Sequence, residues 1–504
     1  MNVRNLLYSL SLAPAVAGAQ GQQPNIIFIL CDDMGWGDLA CYGQKYISTP
    51  NIDRLASQGM QFMQAYAGSP VSAPSRASLM TGQHTGHCEV RGNKEYWTSS
   101  GRVYYNGNED YAVVGQHPLD TAHVVLPEIM KRNGYTTAQF GKWAGGYEGS
   151  VSTPDKRGID EFYGYICQFQ AHSYYPNFLN KFSTKDGDKG VTREVQQENI
   201  KYSFTGDDYF KRPEYSADVI HRKAMQWIES QDGQKPFYGL FTYTIPHAEL
   251  VQPEDSILLA YKAKFSQDKN YRGELGSWYH AVGNVHAQFA AMITRLDTYV
   301  GEIMDLLERK GMAENTILIF SSDNGPHEEG GADPTFFNRD GVLKGLKRSC
   351  HEGGIRIPFI VRWPGHVPAG VRSNQQIAFY DVMPTFCEII GEMDYSDKYR
   401  NPRLGDKDYF DGISFLPTLE GRDAEQKSHD YLYWEFNETN QIAVRQGNWK
   451  LIVKNGVSEL YDLATDVHED HNLAAEYPEK LAELKALVLQ SHTPNPYFSV
   501  TLPQ

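Results

Sequence analysis

The run Ser72-Ala73-Pro74-Ser75-Arg76, with Leu79-Met80-Thr81-Gly82 close behind, gathers residue types able to hold an anion. Pro74 suits the first turn of a helix, where a missing N–H costs nothing. Ser72 then lies at the helix N-terminus, whose unpaired backbone N–H groups favour negative charge. Arg76 adds a planar, permanently charged fork matched to an oxyanion. A second chemistry sits elsewhere in the chain. Asp32-Asp33 and Asp323-Asn324 offer only oxygen ligands, a set that suits a hard cation, Ca2+ or Mg2+, and not zinc. One acidic pair after a strand caps a turn or a helix. Two such pairs together with the Ser72 run are read as a metal centre.

Four apolar runs must position these groups. Residues 26–30 run into Cys31-Asp32-Asp33, residues 136–140 into Gly141-Lys142-Trp143, residues 237–242 into Pro246-His247, and residues 317–320 into Ser321-Ser322-Asp323-Asn324-Gly325. Runs of this length bounded by turn residues fit strands buried on both faces. Open α/β sheets bind ligands beyond the carboxyl ends of their strands, so Asp32, Asp33, Lys142, His247, Asp323 and Asn324 are expected to converge. Between the runs, Val285, Phe289, Met292, Leu296, Val300, Ile303 and Leu307 recur at helical spacing, as do Ile220, Ala224, Trp227 and Ile228. Both stripes are read as core-facing helices. The expected fold class is α/β: a large, mainly parallel or mixed central sheet sandwiched by helices.

At 504 residues the chain exceeds one simple core. Residues 1–19 read as a secretory leader: Arg4, an apolar stretch, and Ala17-Gly18-Ala19 as a small-residue cleavage site. A periplasmic or secreted protein is expected, without a membrane span. Residues 20–390 read as the catalytic domain. Residues 391–504 read as a small α+β subdomain, opening on a polar excursion over 391–411 and continuing as short strands with Gly447-Asn448 and Asn455-Gly456 turns. A helix starting at Pro478 follows. Six cysteines lack any paired spacing, and in an exported protein some would bridge. The net charge of −15 argues against non-specific nucleic-acid binding. It also requires that an anionic substrate be held by local cations.

These motifs resemble the sulfatases of the alkaline phosphatase-like superfamily, in the family's order: Asp32-Asp33-Met34-Gly35-Trp36-Gly37-Asp38, Thr49-Pro50-Asn51, the Ser72 run, Gly141-Lys142-Trp143, Ser322-Asp323-Asn324-Gly325, Glu352-Gly353-Gly354-Ile355-Arg356, and Leu460-Tyr461-Asp462-Leu463. The resemblance implies that a sulfatase-maturating enzyme oxidises Ser72 to formylglycine (3-oxoalanine). It implies one Ca2+ held by Asp32, Asp33, Asp323, Asn324 and the residue made from Ser72. Arg76 would orient that residue, Lys142 and Lys347 would bind sulfate oxygens, and His247 would contact the sulfate and the leaving oxygen. One departure stands out. Many sulfatases carry a histidine after Lys-Trp, where this chain has Ala144. His172 is the expected substitute.

An exported sulfatase of the serine type looks like the bacterial enzymes that strip sulfate from host or algal glycans. Asn324-Gly325-Pro326-His327 with Lys347-Arg348 resembles enzymes of sulfated galactose or N-acetylgalactosamine. Tyr174, Tyr175, Trp97, His327 and Glu328 are expected to form a sugar platform, with His172, His327 and Glu328 binding substrate. Two other readings are a phosphodiester, phosphonate or phosphate monoester hydrolase of the same superfamily, and a non-catalytic glycan-binding relative. Relatives of the first kind often hold two zinc ions with several His and Asp ligands, whereas this chain's carboxylate and amide set favours one hard ion.

Overall fold

The computed structural model describes residues 23–97, 104–105, 108–109, 113–176, 178–187, 189–196, 213–273, 279 and 281–504. The expected leader over residues 1–19 and the side chain of Trp97 lie outside the described residues.

A ten-stranded sheet is the frame. Its strands in chain order are β1 (Asn25–Cys31), β2 (Met60–Tyr66), β3 (Thr136–Lys142), β4 (Glu161–Tyr165) and β5 (Phe178–Ser183). Then come β6 (Thr192–Val195), β7 (Phe237–Thr242), β8 (Thr316–Ser322), β9 (Arg356–Arg362) and β10 (Val371–Ala378). Their spatial order is β6-β5-β4-β3-β7-β1-β8-β9-β2-β10. The central block β4-β3-β7-β1-β8 is parallel throughout. Antiparallel pairs flank it on both sides, making the sheet mixed.

Alternation along β1 explains the sandwich. Ile27 and Ile29 pack against α1 (Pro50–Ser57), α4 (Ser216–Ser230) and α5 (Val285–Arg309), whereas Ile26, Phe28 and Leu30 face α2 (Ser72–Thr81), α3 (Leu126–Arg132) and α6 (Val382–Ile389). Side chains of a strand alternate between faces, so a strand apolar at every position must be covered twice. Both expected helical stripes lie on the first of these faces. The six cysteines are all free thiols, so the expected bridges are absent.

The C-terminal subdomain is a separate antiparallel sheet of β11 (Leu432–Phe436), β12 (Gln441–Gln446), β13 (Trp449–Lys454) and β14 (Val457–Asp462). Asn455 and Gly456, both left-handed at φ 51° and 81°, close the β13–β14 hairpin as a two-residue turn of this twist demands. Leu484 and Val488 of α7 (Pro478–Ser491) cover one face of that sheet.

A buried ionic joint ties the subdomain to the sheet. Lys450 Nζ lies 2.9 Å from Glu352 and 2.9 Å from Glu469, and all three side chains are inaccessible. Tyr66 donates to Glu352 at 2.7 Å. Gly353 and Gly354 follow because a Cβ at either would collide with the backbone carbonyls of Gly345 and Ser349. Lys450→Met would remove the ammonium shared by two buried carboxylates, at a cost of about 3 kcal/mol. The expected outcome is a lower denaturant midpoint for this variant than for the double change Lys450→Met with Glu469→Gln.

Candidate active site

Four of the five strands of the parallel block deliver polar residues to the same edge. Asp32 and Asp33 follow β1, Lys142 ends β3, His247 follows β7, and Asp323 and Asn324 follow β8. Ser72 opens α2 as its first residue, preceded by Val71 in extended conformation. The anion-favouring position read from Pro74 is therefore present, and it faces the strand ends.

Ser72 Oγ donates to Asp32 Oδ1 at 2.9 Å and receives a hydrogen bond from Lys142 Nζ at 3.0 Å. Lys142 also reaches Asp32 Oδ2 at 2.6 Å. Arg76 grips Asp323 Oδ2 through Nε and Nη2 at 3.0 and 2.8 Å. Asp323 Oδ1 in turn accepts from the Asp33 backbone N–H at 3.1 Å. Asp33 sits in the left-handed region at φ 61°. Arg339 holds it there, donating to the Asp33 carbonyl at 2.9 Å while its Nε lies 3.1 Å from both oxygens of Asp38.

The donor set fits a hard dication. Asp32, Asp33, Asp323 and Asn324 are each at most 1% exposed. Asn324 Nδ2 donates to Asp33 Oδ1 at 2.7 Å, yet Asn324 Oδ1 is buried without a hydrogen-bond partner. A buried unsatisfied amide oxygen costs roughly 1–3 kcal/mol, and a cation among the neighbouring carboxylates would satisfy it. Burial, then the charge of Asp32, raises the Asp323 carboxyl to about 6. Burial acts the same way on Asp33, but Lys347 and His247 outweigh it and bring that carboxyl to about 2. Like charges this close favour a divalent ion. None of these four ligands is a histidine, and of the two histidines beside Asp33, His247 and His327, the second has both nitrogens hydrogen-bonded, a set poorer than two zinc ions require.

His247 and Lys347 form the next ring. Lys347 Nζ donates to Asp33 Oδ2 at 2.8 Å and lies 2.9 Å from His247 Nε2. The Ala248 carbonyl engages His247 Nδ1, so Nδ1 carries the proton and Nε2 faces the centre. Burial, reinforced by Lys347, lowers the His247 pKa. His172 stacks on His247 with ring centroids 4.6 Å apart, and its Nδ1 is buried without a partner. Ala144 is buried and left-handed at φ 59°, contributing no polar group.

The structure places the residues expected to contact substrate as follows. Glu328 is exposed. Its neighbour Glu329 faces the site instead, accepting from Lys347 at 3.1 Å and Tyr279 OH at 2.9 Å. His327 has no nitrogen to spare: Nδ1 accepts from the Glu329 N–H and Nε2 donates to the Pro246 carbonyl, each at 3.1 Å. It is buried and positions the turn. Tyr174 and Tyr175 are at most 2% exposed, with Tyr174 OH donating to the Thr244 and His247 carbonyls. Tyr174 braces the His247 loop, Tyr175 packs on Tyr215, and neither ring is exposed as a platform. Glu329, Tyr279 and the Asp38–Arg339 pair were not singled out from sequence. Only Asp38 lay within a quoted motif.

The chain matches the family model described as Sulfatase over residues 24–392 and the one described as N-sulphoglucosamine sulphohydrolase, C-terminal, over residues 345–492. It is 30% identical over 535 residues to the N-acetylgalactosamine-6-O-sulfatase of Bacteroides thetaiotaomicron, covering 94% of this chain and 93% of that protein. It is 30% identical over 417 residues to the N-acetylgalactosamine-6-sulfatase of Homo sapiens, covering 80% of this chain and 68% of that one. The solved structure of Ps i-CgsB in complex with k-i-k-neocarrahexaose is similar at a TM-score of 0.70 and 25% identity, over 95% of this chain and 96% of that one. A phosphonate monoester hydrolase of Agrobacterium radiobacter, at 21% identity and a TM-score of 0.59, shares the fold alone. Motifs, strand-end geometry and these likenesses agree, and the chain belongs to the sulfatase family of sulfuric ester hydrolases.

Proposed function

We propose that the protein hydrolyses a sulfate monoester on a sulfated carbohydrate of the galactose or N-acetylgalactosamine type, using a formylglycine made from Ser72 by a maturating enzyme and one Ca2+. The observation that carries this reading is the position of Ser72 Oγ, between a carboxylate and a lysine at a helix N-terminus. The resemblance to the two N-acetylgalactosamine sulfatases supports the substrate class.

Asp32, Asp33, Asp323 and Asn324 would hold the Ca2+, which when bound supplies positive charge beside the nucleophile and the sulfate oxygens. The aldehyde hydrate at position 72 supplies the attacking hydroxyl. Arg76, locked on Asp323, orients the residue at position 72. Lys142 and Lys347 place two ammonium groups where non-bridging oxygens gain charge. His247, whose Nδ1 proton is held by the Ala248 carbonyl, enters the step protonated at Nε2 from solvent and gives that proton to the departing alkoxide as the sulfur–oxygen ester bond breaks. Burial among protein groups keeps bulk water from competing for these charges.

His172 supplies the base that Ala144 lacks. His172→Ala is expected to leave the first release of desulfated sugar fast and to slow the following steady state by roughly a hundredfold. Rapid-quench kinetics checks this. An unchanged steady state, or a higher KM at unchanged kcat, would make His172 a binding residue only.

The function itself is tested by matured protein on N-acetylgalactosamine 6-sulfate, galactose 6-sulfate and the matching phosphate esters. Inorganic sulfate should appear much faster than phosphate. Faster phosphate release would favour the superfamily's phosphate chemistry, and sugar binding without release of either anion would favour a glycan-binding relative. Residues 1–19 are read as an export leader, so the mature protein recovered from outside the cytoplasm should begin near Gln20.

A further inference from the structure

One charged pair beside the site is left open. Arg348 follows Lys347, and its side chain is 43% exposed. Its backbone is fixed in the left-handed region at φ 71°, a conformation that non-glycine residues seldom adopt. The Arg348 N–H donates to the Pro70 carbonyl at 3.0 Å, and its own carbonyl accepts from Thr439 and Gln441 of the C-terminal subdomain at 3.2 and 3.0 Å. Its guanidinium is anchored through Nη1 on Glu329 Oε1.

Glu438 lies across from it, in the turn between β11 and β12, with its side chain 29% exposed. Glu438 Oε1 accepts from the Asn93 N–H, and Asn93 Oδ1 accepts at 3.2 Å from the N–H of Ala73, next to Ser72. Two chains of contacts thus leave the centre, one through Lys347 and Glu329, the other through Ala73 and Asn93. They meet at this pair. Arg348 Nε and Glu438 Oε2 are 3.9 Å apart, too far for a hydrogen bond.

We propose that Arg348 and Glu438 form a hydroxyl-binding subsite for the sugar ring that carries the sulfate, an inference that rests on the carbohydrate sulfatase reading above. A sugar hydroxyl is donor and acceptor at once. It can accept from Arg348 Nε and donate to Glu438 Oε2, closing a gap that the two side chains leave open between themselves. A second anion fits worse, because Glu329 and Glu438 already oppose the Arg348 charge and Glu438 would repel it. The C-terminal subdomain would then supply specificity through Glu438, while the sheet supplies the chemistry.

Glu438→Gln keeps an acceptor for Asn93 but turns its second atom into a donor beside Arg348, leaving the hydroxyl proton without a partner. Protein retaining serine at position 72, loaded with Ca2+, is titrated calorimetrically with N-acetylgalactosamine 6-sulfate and, separately, with inorganic sulfate. The parent protein should bind the sugar sulfate more tightly than free sulfate. The variant should lose about tenfold or more for the sugar with little change for sulfate. Equal weakening of both, no change, or a parent that prefers free sulfate would overturn the subsite. Tighter sugar binding by the variant would also overturn it and assign Arg348 to a second anion. Failure of the parent reading is a separate result: matured protein that binds the sugar sulfate in this way and releases no sulfate.

Discussion

Matured protein stripped of divalent cation is expected to lose sulfate release by roughly a thousandfold or more, to melt at a lower temperature, and to recover both on addition of Ca2+. The reasoning starts from charge. Asp32, Asp33 and Asp323 crowd one strand-end cluster out of contact with solvent. Arg76, Lys142 and Lys347 offset part of that repulsion. Asp323 still shows the strain of burial and of the neighbouring Asp32 charge by rising to about 6. The orphaned Asn324 Oδ1 adds a cost that none of these cations removes. An ion bound only by the folded state adds about 2.7 kcal/mol of stability at a hundredfold excess over its Kd. Paired calorimetric melts and sulfate assays, before and after chelation, check both effects. Stoichiometric zinc on elemental analysis, or indifference to exhaustive chelation, would refute the ligand set.

Ser72→Ala is expected to be the most damaging single change, lowering kcat by roughly 10^4-fold or more while the fold survives. The side chain makes two hydrogen bonds, to Asp32 and from Lys142. Its removal costs on the order of 1 kcal/mol, small for a core of this size. Plain serine should do little better than alanine. The group that accepts its proton, Asp32, is a carboxylate paired with Lys142 and too weak a base to make an alkoxide of serine, and Lys142 itself donates to the hydroxyl. Sulfate release by Ser72→Ala, by serine-retaining protein and by matured protein, each with a melting curve, separates loss of chemistry from loss of fold.

Strand ends explain what was legible in the sequence. Apolar runs stop where their polar residues begin, so Asp32, Asp33, Lys142, His247, Asp323 and Asn324 could be grouped from sequence before any contact was known. Loop residues had no such register. Glu328 and Glu329 are adjacent and chemically alike, and only the turn braced by His327 decides which carboxylate meets Lys347. Tyr174 and Tyr175 beside a histidine read as an exposed aromatic patch, but Tyr174 OH finds two backbone carbonyls and is drawn into the core. The Asp38–Arg339 bridge joins residues 301 positions apart, beyond any local pattern. Glu352 was legible only as a motif. Its work as a joint with Lys450 depends on a hairpin nearly a hundred residues later.

The mass of the peptide spanning Ser72, taken from the native source and set beside the sulfate-releasing activity of the same preparation, tests the central claim most directly. A loss of two hydrogens relative to serine, in a fraction that rises and falls with activity, is the predicted result. Full turnover by protein whose position 72 is shown to remain unmodified serine would contradict it.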